Sequence, residues 1–203
     1  MTESELQPTV LLVTGPPGTG KTTLISALLP QLEARGISLP VFTKDGFKET
    51  LFDALGCGDR VWSSRLGKAS TLLLWHVLEQ ELAAGRSCLL ESNFHADLAT
   101  PELAALRERQ PFSLIQLLCR TEPDILLARL RHRTEIRARH PGHLDPEWTP
   151  ALRPDTLAWR AEPLALEGAT LDVDTTDWEQ VDLDDLAARI AALWPQTWTS
   201  EGT

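Results

Sequence analysis

The residues Gly15-Pro16-Pro17-Gly18-Thr19-Gly20-Lys21-Thr22 carry the most specific chemistry in this 203-residue chain. Glycines spaced in this way let the backbone curl until successive N–H groups converge into a concave anion nest. The pattern G-x-x-x-x-G-K-[ST] then sets an ammonium and a hydroxyl at the rim of that nest. Lys21 is placed to neutralise the β- and γ-phosphates, and Thr22, followed by Thr23, to join the shell of a Mg²⁺ ion. The expected ligand is ATP or another nucleoside triphosphate; the guanine-reading Asn-Lys-x-Asp of GTPases is absent, with only Thr43-Lys44-Asp45-Gly46 near to it.

Other reactive groups are spread more thinly. Asp45 and Lys48 stand three apart, hence on one side of any helix that contains both. Glu91, Asn93 and His95 follow an apolar run. Arg129, Arg131, Arg133, Arg137 and Arg139 place five of the 19 basic residues within eleven positions, and Arg129 and Arg133, four apart, share a helix face. His140 and His143 have the spacing of a metal pair but no accompanying cysteine or third histidine, so contact with a ligand, or no function at all, is the better reading.

The elements that must position these groups are legible as well. Apolar runs at 9–14, 39–43, 87–91, 113–119 and 170–173 read as strands. Helices are expected at 22–35, 44–55, 69–84, 101–109, 122–137, 154–166 and 183–193, with a loop over 139–154. The 69–84 helix is apolar almost all round and should be sandwiched between layers. Alternating strands and helices imply a parallel sheet in an α/β fold. The phosphate-binding glycines then lie between the first strand and the first helix, whose positive N-terminal end favours an anion. Asp is also a favoured helix cap, so Asp45 could simply cap a helix starting near Gly46.

Composition narrows the partners. A net charge of −10 and 42% hydrophobic residues describe an acidic globular chain, with no general attraction for nucleic acid or anionic lipid. Three dispersed cysteines suggest no disulfide framework, and Cys88 and Cys119 lie in strand-like runs that should bury them. The opening residues lack the pattern of a signal peptide, and no run reaches the ~18 apolar residues of a membrane span. A cytoplasmic protein is expected.

Four segments, GPPGTGKTT, TKDGFKETL, LLESNF and LLARLRHR, together resemble the small phosphate-loop kinases (the AAA-type predicted kinases) that include polynucleotide 5′-hydroxyl kinases, chloramphenicol phosphotransferase and gluconate-type kinases. Glu91-Ser92-Asn93 replaces the Asp-Glu that ends the third strand in ring-forming ATPases. The resemblance implies a phosphate-loop three-layer α/β/α sandwich, with a five-stranded parallel sheet and a helical lid over about 125–150, in one domain. It further implies that Asp45 orients the acceptor hydroxyl and takes its proton. Lys48 occupies the place of an arginine that touches an acceptor phosphate, and as lysine loses the bidentate geometry; a solvated lysine is the alternative. Glu91 would hold Mg²⁺ or the acceptor, or else bond structurally to the phosphate loop, and Asn93 and His95, just beyond, could read the acceptor or be plain loop residues. Arg129 and Arg133 would close over the ATP phosphates, the alternative being a solvated face paired to Glu122, Asp124 and Glu135. Asp174-Thr175-Thr176 would lie near the adenine, the alternative being an ordinary turn. Trp62, Trp75 and Trp159 fall where such kinases build an acceptor pocket, with Arg65 and Lys68 nearby, although large aromatics are more often core.

The expected activity is Mg²⁺-dependent transfer of the γ-phosphate of ATP to a hydroxyl of a small molecule or of a nucleic-acid 5′ end, the acidity and Lys48 favouring the small molecule. The alternative is a nucleotide-binding switch that hydrolyses ATP slowly and acts through a protein partner.

Overall fold

The computed structural model describes residues 7–153 and 162–195. Strand β1 (Thr9–Thr14) is buried on both faces, as a central parallel strand must be. Its side chains alternate: Val10 and Leu12 enter one core, Leu11 and Val13 the other. Around it lie β2 (Val41–Thr43), β3 (Cys88–Glu91), β4 (Ser113–Arg120) and β5 (Ala169–Asp174) in the order β2-β3-β1-β4-β5. Every pairing is parallel.

One face carries α1 (Lys21–Glu33) and α7 (Leu183–Leu193), which bury Leu24, Leu28 and Leu32 with Leu186, Ala187 and Ile190. The other carries α3 (Arg60–Ala83) and α4 (Ala96–Arg109), burying Leu74, Leu78 and Leu103 against Leu12 and Leu90. This is the three-layer α/β/α sandwich with a five-stranded parallel sheet that the resemblance implies, and the parallel sheet that the alternation of elements predicts. Helix α2 (Lys44–Leu55) follows β2, and α5 (Pro123–Glu135) follows β4.

Several boundaries differ from the sequence reading. Helix α3 begins at Arg60, capped by Asp59, whose carboxylate accepts from the Trp62 N–H at 2.8 Å. It is also not sandwiched on all sides: Leu72 is 69% exposed and Leu73 39%. Its apolar character exceeds what one buried stripe requires, and pattern alone does not tell which leucines face solvent. The segment expected as loop folds into tight turns at Pro141–His143 and Thr149–Ala151 around a single helical turn, α6 (Asp145–Trp148). Of the helix expected at 154–166, residues 154–161 lie outside the described residues, as does Trp159; residues 162–166 are not helical. Among the described residues, no helix is long and apolar enough to cross a membrane.

Candidate active site

The phosphate loop runs from the end of β1 into α1, and its glycines are needed there. Gly15, Gly18 and Gly20 have φ of 153°, 90° and 81°, a region that side-chain-bearing residues avoid. A Cβ on Gly15 would also come within 2.6 Å of the Cys119 carbonyl oxygen on β4. Thr19 pins the turn by donating its hydroxyl to the Pro16 carbonyl at 2.9 Å.

Lys21 is buried, and its Nζ donates to the carbonyls of Gly15 at 2.9 Å and Pro16 at 3.2 Å. The same ammonium stands 3.6 Å from Glu91 Oε1 at the end of β3. Burial pushes the Glu91 carboxyl above its ordinary range, and the Lys21 charge offsets part of that rise. Glu91 thus lies beside the phosphate loop at the carboxyl edge of the sheet, where open parallel sheets bind ligands.

Asp45 enters from the first turn of α2. The cap of that helix is Thr43, whose Oγ1 accepts from the Gly46 N–H at 3.0 Å, so Asp45 is not the capping residue. Its partner is Arg139: one guanidinium nitrogen, Nη2, pairs with Asp45 Oδ2, and Nη1 reaches Asp145 Oδ1 at 3.3 Å. Burial alone would raise the Asp45 carboxyl, but the charges of Arg139 and His143 and the Arg139 hydrogen bond hold it below its usual value. Lys48 Nζ donates to Ser63 Oγ at 3.0 Å on α3 and stands 5.3 Å from the Phe52 ring centre. Burial lowers the ammonium groups of both Lys44 and Lys48, and for Lys48 the neighbouring Lys44 charge adds to the effect.

Arg129 and Arg133 of α5 are not a solvated face paired to Glu122, Asp124 and Glu135, whereas Arg131 is exposed. Arg129 donates to the carbonyls of Thr175 at 2.8 Å and Thr176 at 3.0 Å, beyond β5. Arg133 pairs with the buried Asp145 at 2.9 Å. Thr175 is buried and reaches the phosphate loop, donating its hydroxyl to the Thr19 carbonyl at 2.7 Å. The Asp174-Thr175-Thr176 turn therefore braces the loop.

These groups share one cleft of about 660 Å³, lined from Pro17, Gly18, Gly20, Lys21, Thr22 and Thr23 through Lys44, Asp45, Lys48, Glu91 and Asn93 to Arg129, Arg133 and Arg139. Six cationic side chains face it against two carboxylates, in a chain whose net charge is −10. Arg133 Nε is buried with no hydrogen-bond partner among the described residues. An excess of positive charge, an orphaned guanidinium N–H and a glycine cradle are what a polyphosphate satisfies. The residues thus fit a nucleoside triphosphate, with Thr22 and Glu91 at hand for its metal ion. Among the described residues, no cluster of three or more His, Cys, Asp or Glu could hold a metal unaided.

The structure also brings in residues that sequence reasoning had ranked low or missed. Arg139 belonged to the basic cluster, but nothing in its spacing pointed to Asp45. His143, buried, accepts or donates a hydrogen bond with Glu49 at 3.0 Å, and burial, reinforced by the Arg139 charge, pushes its imidazole down to about 3. Trp148 and Trp178 line the cleft, whereas Trp62 bonds the Gly56 carbonyl and Trp75 stacks on Phe94 with ring centres 5.5 Å apart. Arg65 and Lys68 are exposed and His95 starts α4; none of the three lines the cleft. A smaller cavity of about 270 Å³ adjoins it, sharing Lys48, His143 and Trp148 and adding Arg60, Ser63, Ser64 and Glu147.

Comparison with known proteins agrees with this fold. Residues 10–145 match the family described as "AAA domain". The chain belongs to that family and has the fold of the small phosphate-loop kinases within it. It is similar to a protein from Chloroflexus aurantiacus J-10-fl described as a candidate kinase, with 38% identity, a TM-score of 0.80, and coverage of 92% of this chain and 98% of the other. The fold is shared with a sugar kinase from Janibacter sp. HTCC2649, at 15% identity and a TM-score of 0.51, covering 94% of this chain and 96% of that one. It is shared too with the APS kinase CysC of Mycobacterium tuberculosis, solved with AMPPNP and APS, at 16% identity and a TM-score of 0.52, covering 93% and 98%. No curated protein matches the chain.

Proposed function

We propose that this protein is an ATP- and Mg²⁺-dependent kinase that phosphorylates a hydroxyl of a small molecule. The observation that carries the reading is the placement of Asp45 in the same cleft as Lys21 and the arginines of α5, a carboxylate facing a polyphosphate cradle.

The phosphate loop from Gly15 to Thr23 holds the triphosphate, and Lys21 and Arg133 neutralise the oxygens of the transferring group. Thr22 and Glu91 would hold Mg²⁺ together with the substrate phosphates, and the ion would supply further charge neutralisation. Asp45 accepts a hydrogen bond from the acceptor hydroxyl and so aims its oxygen at the γ-phosphorus. As the new O–P bond forms, the bond from the γ-phosphorus to the β–γ bridging oxygen breaks. ADP leaves, and the hydroxyl proton passes to Asp45. In such loose transition states the protein acts chiefly by positioning and electrostatics. Residues 125–150 act as the lid: Arg129 ties α5 to the turn beyond β5, and Arg133 and Arg139 face the phosphates.

The acceptor enters from the side of Lys48 and Asn93. The smaller cavity beyond Lys48, at about 270 Å³, has the scale of a sugar-sized molecule and is bounded by hydroxyl, cationic, carboxylate, imidazole and indole groups. That size, Lys48 in place of an arginine and the net charge of −10 favour a small polar acceptor over a nucleic-acid end. The test is a transfer screen with γ-labelled ATP and Mg²⁺ over sugars, sugar acids, nucleosides and 5′-hydroxyl oligonucleotides. Transfer to one small-molecule class, cut roughly 100-fold or more by Asp45→Asn, is the expected result. Label released only as free phosphate, unaltered by Asp45→Asn, would favour a switch acting through a protein partner.

A further inference from the structure

Arg139 belongs to a short clasp rather than to α5. The two non-glycine residues with positive φ among the described residues, Arg137 at 48° and Leu144 at 58°, stand on either side of it. Such conformations are held only where surrounding contacts enforce them. Here the contacts are with α2 and α3. The His140 ring stacks on Phe52 with centres 5.2 Å apart and a 4° interplanar angle, and its Nε2 meets Asp53 at 3.1 Å. Ser63 Oγ donates to the Gly142 carbonyl at 3.0 Å, and His143 bonds Glu49. Docked this way, residues 137–144 carry Arg139 across the cleft onto Asp45.

That contact occupies the carboxylate an acceptor hydroxyl needs, with a guanidinium that faces the site of the phosphates. The two arms of Arg139 are held differently. Nη1 rests against Asp145, whose side chain is 6% exposed, while Nη2 rests against Asp45, whose side chain is 46% exposed. Arg133 shares Asp145 and keeps its own Nε without a partner among the described residues. A polyphosphate arriving in the cleft offers Nη2 a more highly charged acceptor than one half-exposed carboxylate, and the grip on Asp145 anchors the guanidinium while it turns.

We propose that Arg139 is a positioning residue shared between Asp45 and the nucleotide: from its pairing with Asp45 it transfers to the terminal phosphates when nucleotide binds, uncovering the carboxylate for the acceptor. Binding is thereby ordered, nucleotide first, and Asp45 competes with the nucleotide for one guanidinium. This inference deepens the kinase reading and rests on it for its purpose, but its physical content is a coupling between two residues and a ligand, measurable with no acceptor present.

The measurement is the affinity for AMPPNP with Mg²⁺, by titration calorimetry, in the wild type, Asp45→Asn, Arg139→Gln and the double variant. Asp45→Asn should bind AMPPNP about fivefold more tightly or better, the low end of ordinary coupling between linked sites. Arg139→Gln should bind more weakly, and adding Asp45→Asn to it should change the affinity by less than about twofold. Equal tightening in both backgrounds would mean that Asp45 merely repels the phosphates, and would overturn the exchange. So would unchanged or weaker binding in Asp45→Asn. Arg139→Lys keeps the charge without the fork and serves as the second variant if Arg139→Gln unfolds; coupling to Asp45 should shrink there too, and full wild-type coupling would count against the proposal. A protein that phosphorylates no acceptor yet shows the coupling would sink the kinase reading and leave the exchange standing; transfer without coupling would do the reverse.

Discussion

Gly142 lies against the face of Phe52 so closely that a Cβ built on it would come within 2.5 Å of the ring carbons. Phe52 is 2% exposed and belongs to α2, the helix that carries Asp45 and Lys48. The contact sets how near the 137–144 clasp approaches the acceptor side of the cleft. Gly142→Ala should therefore push the clasp away and destabilise the fold by about 1–3 kcal/mol, the usual cost of overpacking. Urea unfolding checks the energy, and limited proteolysis after Arg137 and Arg139 checks the place. Wild-type stability with unaltered cleavage would show that the clasp does not rest on this contact.

The clasp should also loosen in acid. The His143 imidazole has a folded value of about 3 against an ordinary 6.5, because burial and the Arg139 charge oppose its protonation. Between those values the unfolded chain holds a proton that the folded chain lacks, so stability rises with pH across that window and is lost as pH falls. His143→Gln should flatten the slope of unfolding free energy between about pH 7 and about pH 5. An unchanged slope would assign the acid sensitivity to other groups.

Lys48 spans the two cavities and bonds Ser63. Lys48→Met should raise the KM for the acceptor about tenfold while leaving the KM for ATP within about twofold, the signature of a lost contact to one substrate only. A parallel rise in both would place Lys48 among the nucleotide contacts.

Of the three cysteines, Cys57 is exposed, while burial pushes the thiols of Cys88 and Cys119 up to about 12. A chromogenic thiol reagent should titrate one thiol in the native protein and three in denaturant. Fast reaction of a second thiol would mean that the β1–β3–β4 core opens readily.

The sequence displayed this fold well where the information is local. Gly15 to Thr22 is one contiguous segment whose backbone needs are met by its own residues, so the loop, its strand and its helix could be placed without the rest of the chain. Asp45 and Lys48 were found through the resemblance of TKDGFKETL to the phosphate-loop kinases, and their spacing of three placed them on one side of a helix. The Asp45–Arg139 pair was not legible, since it joins residues 94 positions apart through the docking of His140 and Gly142 on Phe52. Arg129 and Arg133 shared a predicted face, yet their partners, Thr175 and Asp145, came from segments read as a turn and a loop. For α3, an excess of leucine concealed which side faces water, as Leu72 and Leu73 show.

The strand order β2-β3-β1-β4-β5 has a consequence for how such a protein diversifies. The phosphate loop and its brace at Thr175 are built on the β1, β4 and β5 half, and the Asp45 helix follows β2 at the opposite edge. Residues 44–83 and 137–151 together enclose the smaller cavity, while Leu74 and Leu78 of the first stretch also pack beneath the sheet against Leu12 and Leu90. Exchange of Arg60, Ser64 and Glu147, which border the smaller cavity and not the main cleft, is therefore the change expected to alter recognition there while leaving Asp45, Arg139 and the phosphate loop in place.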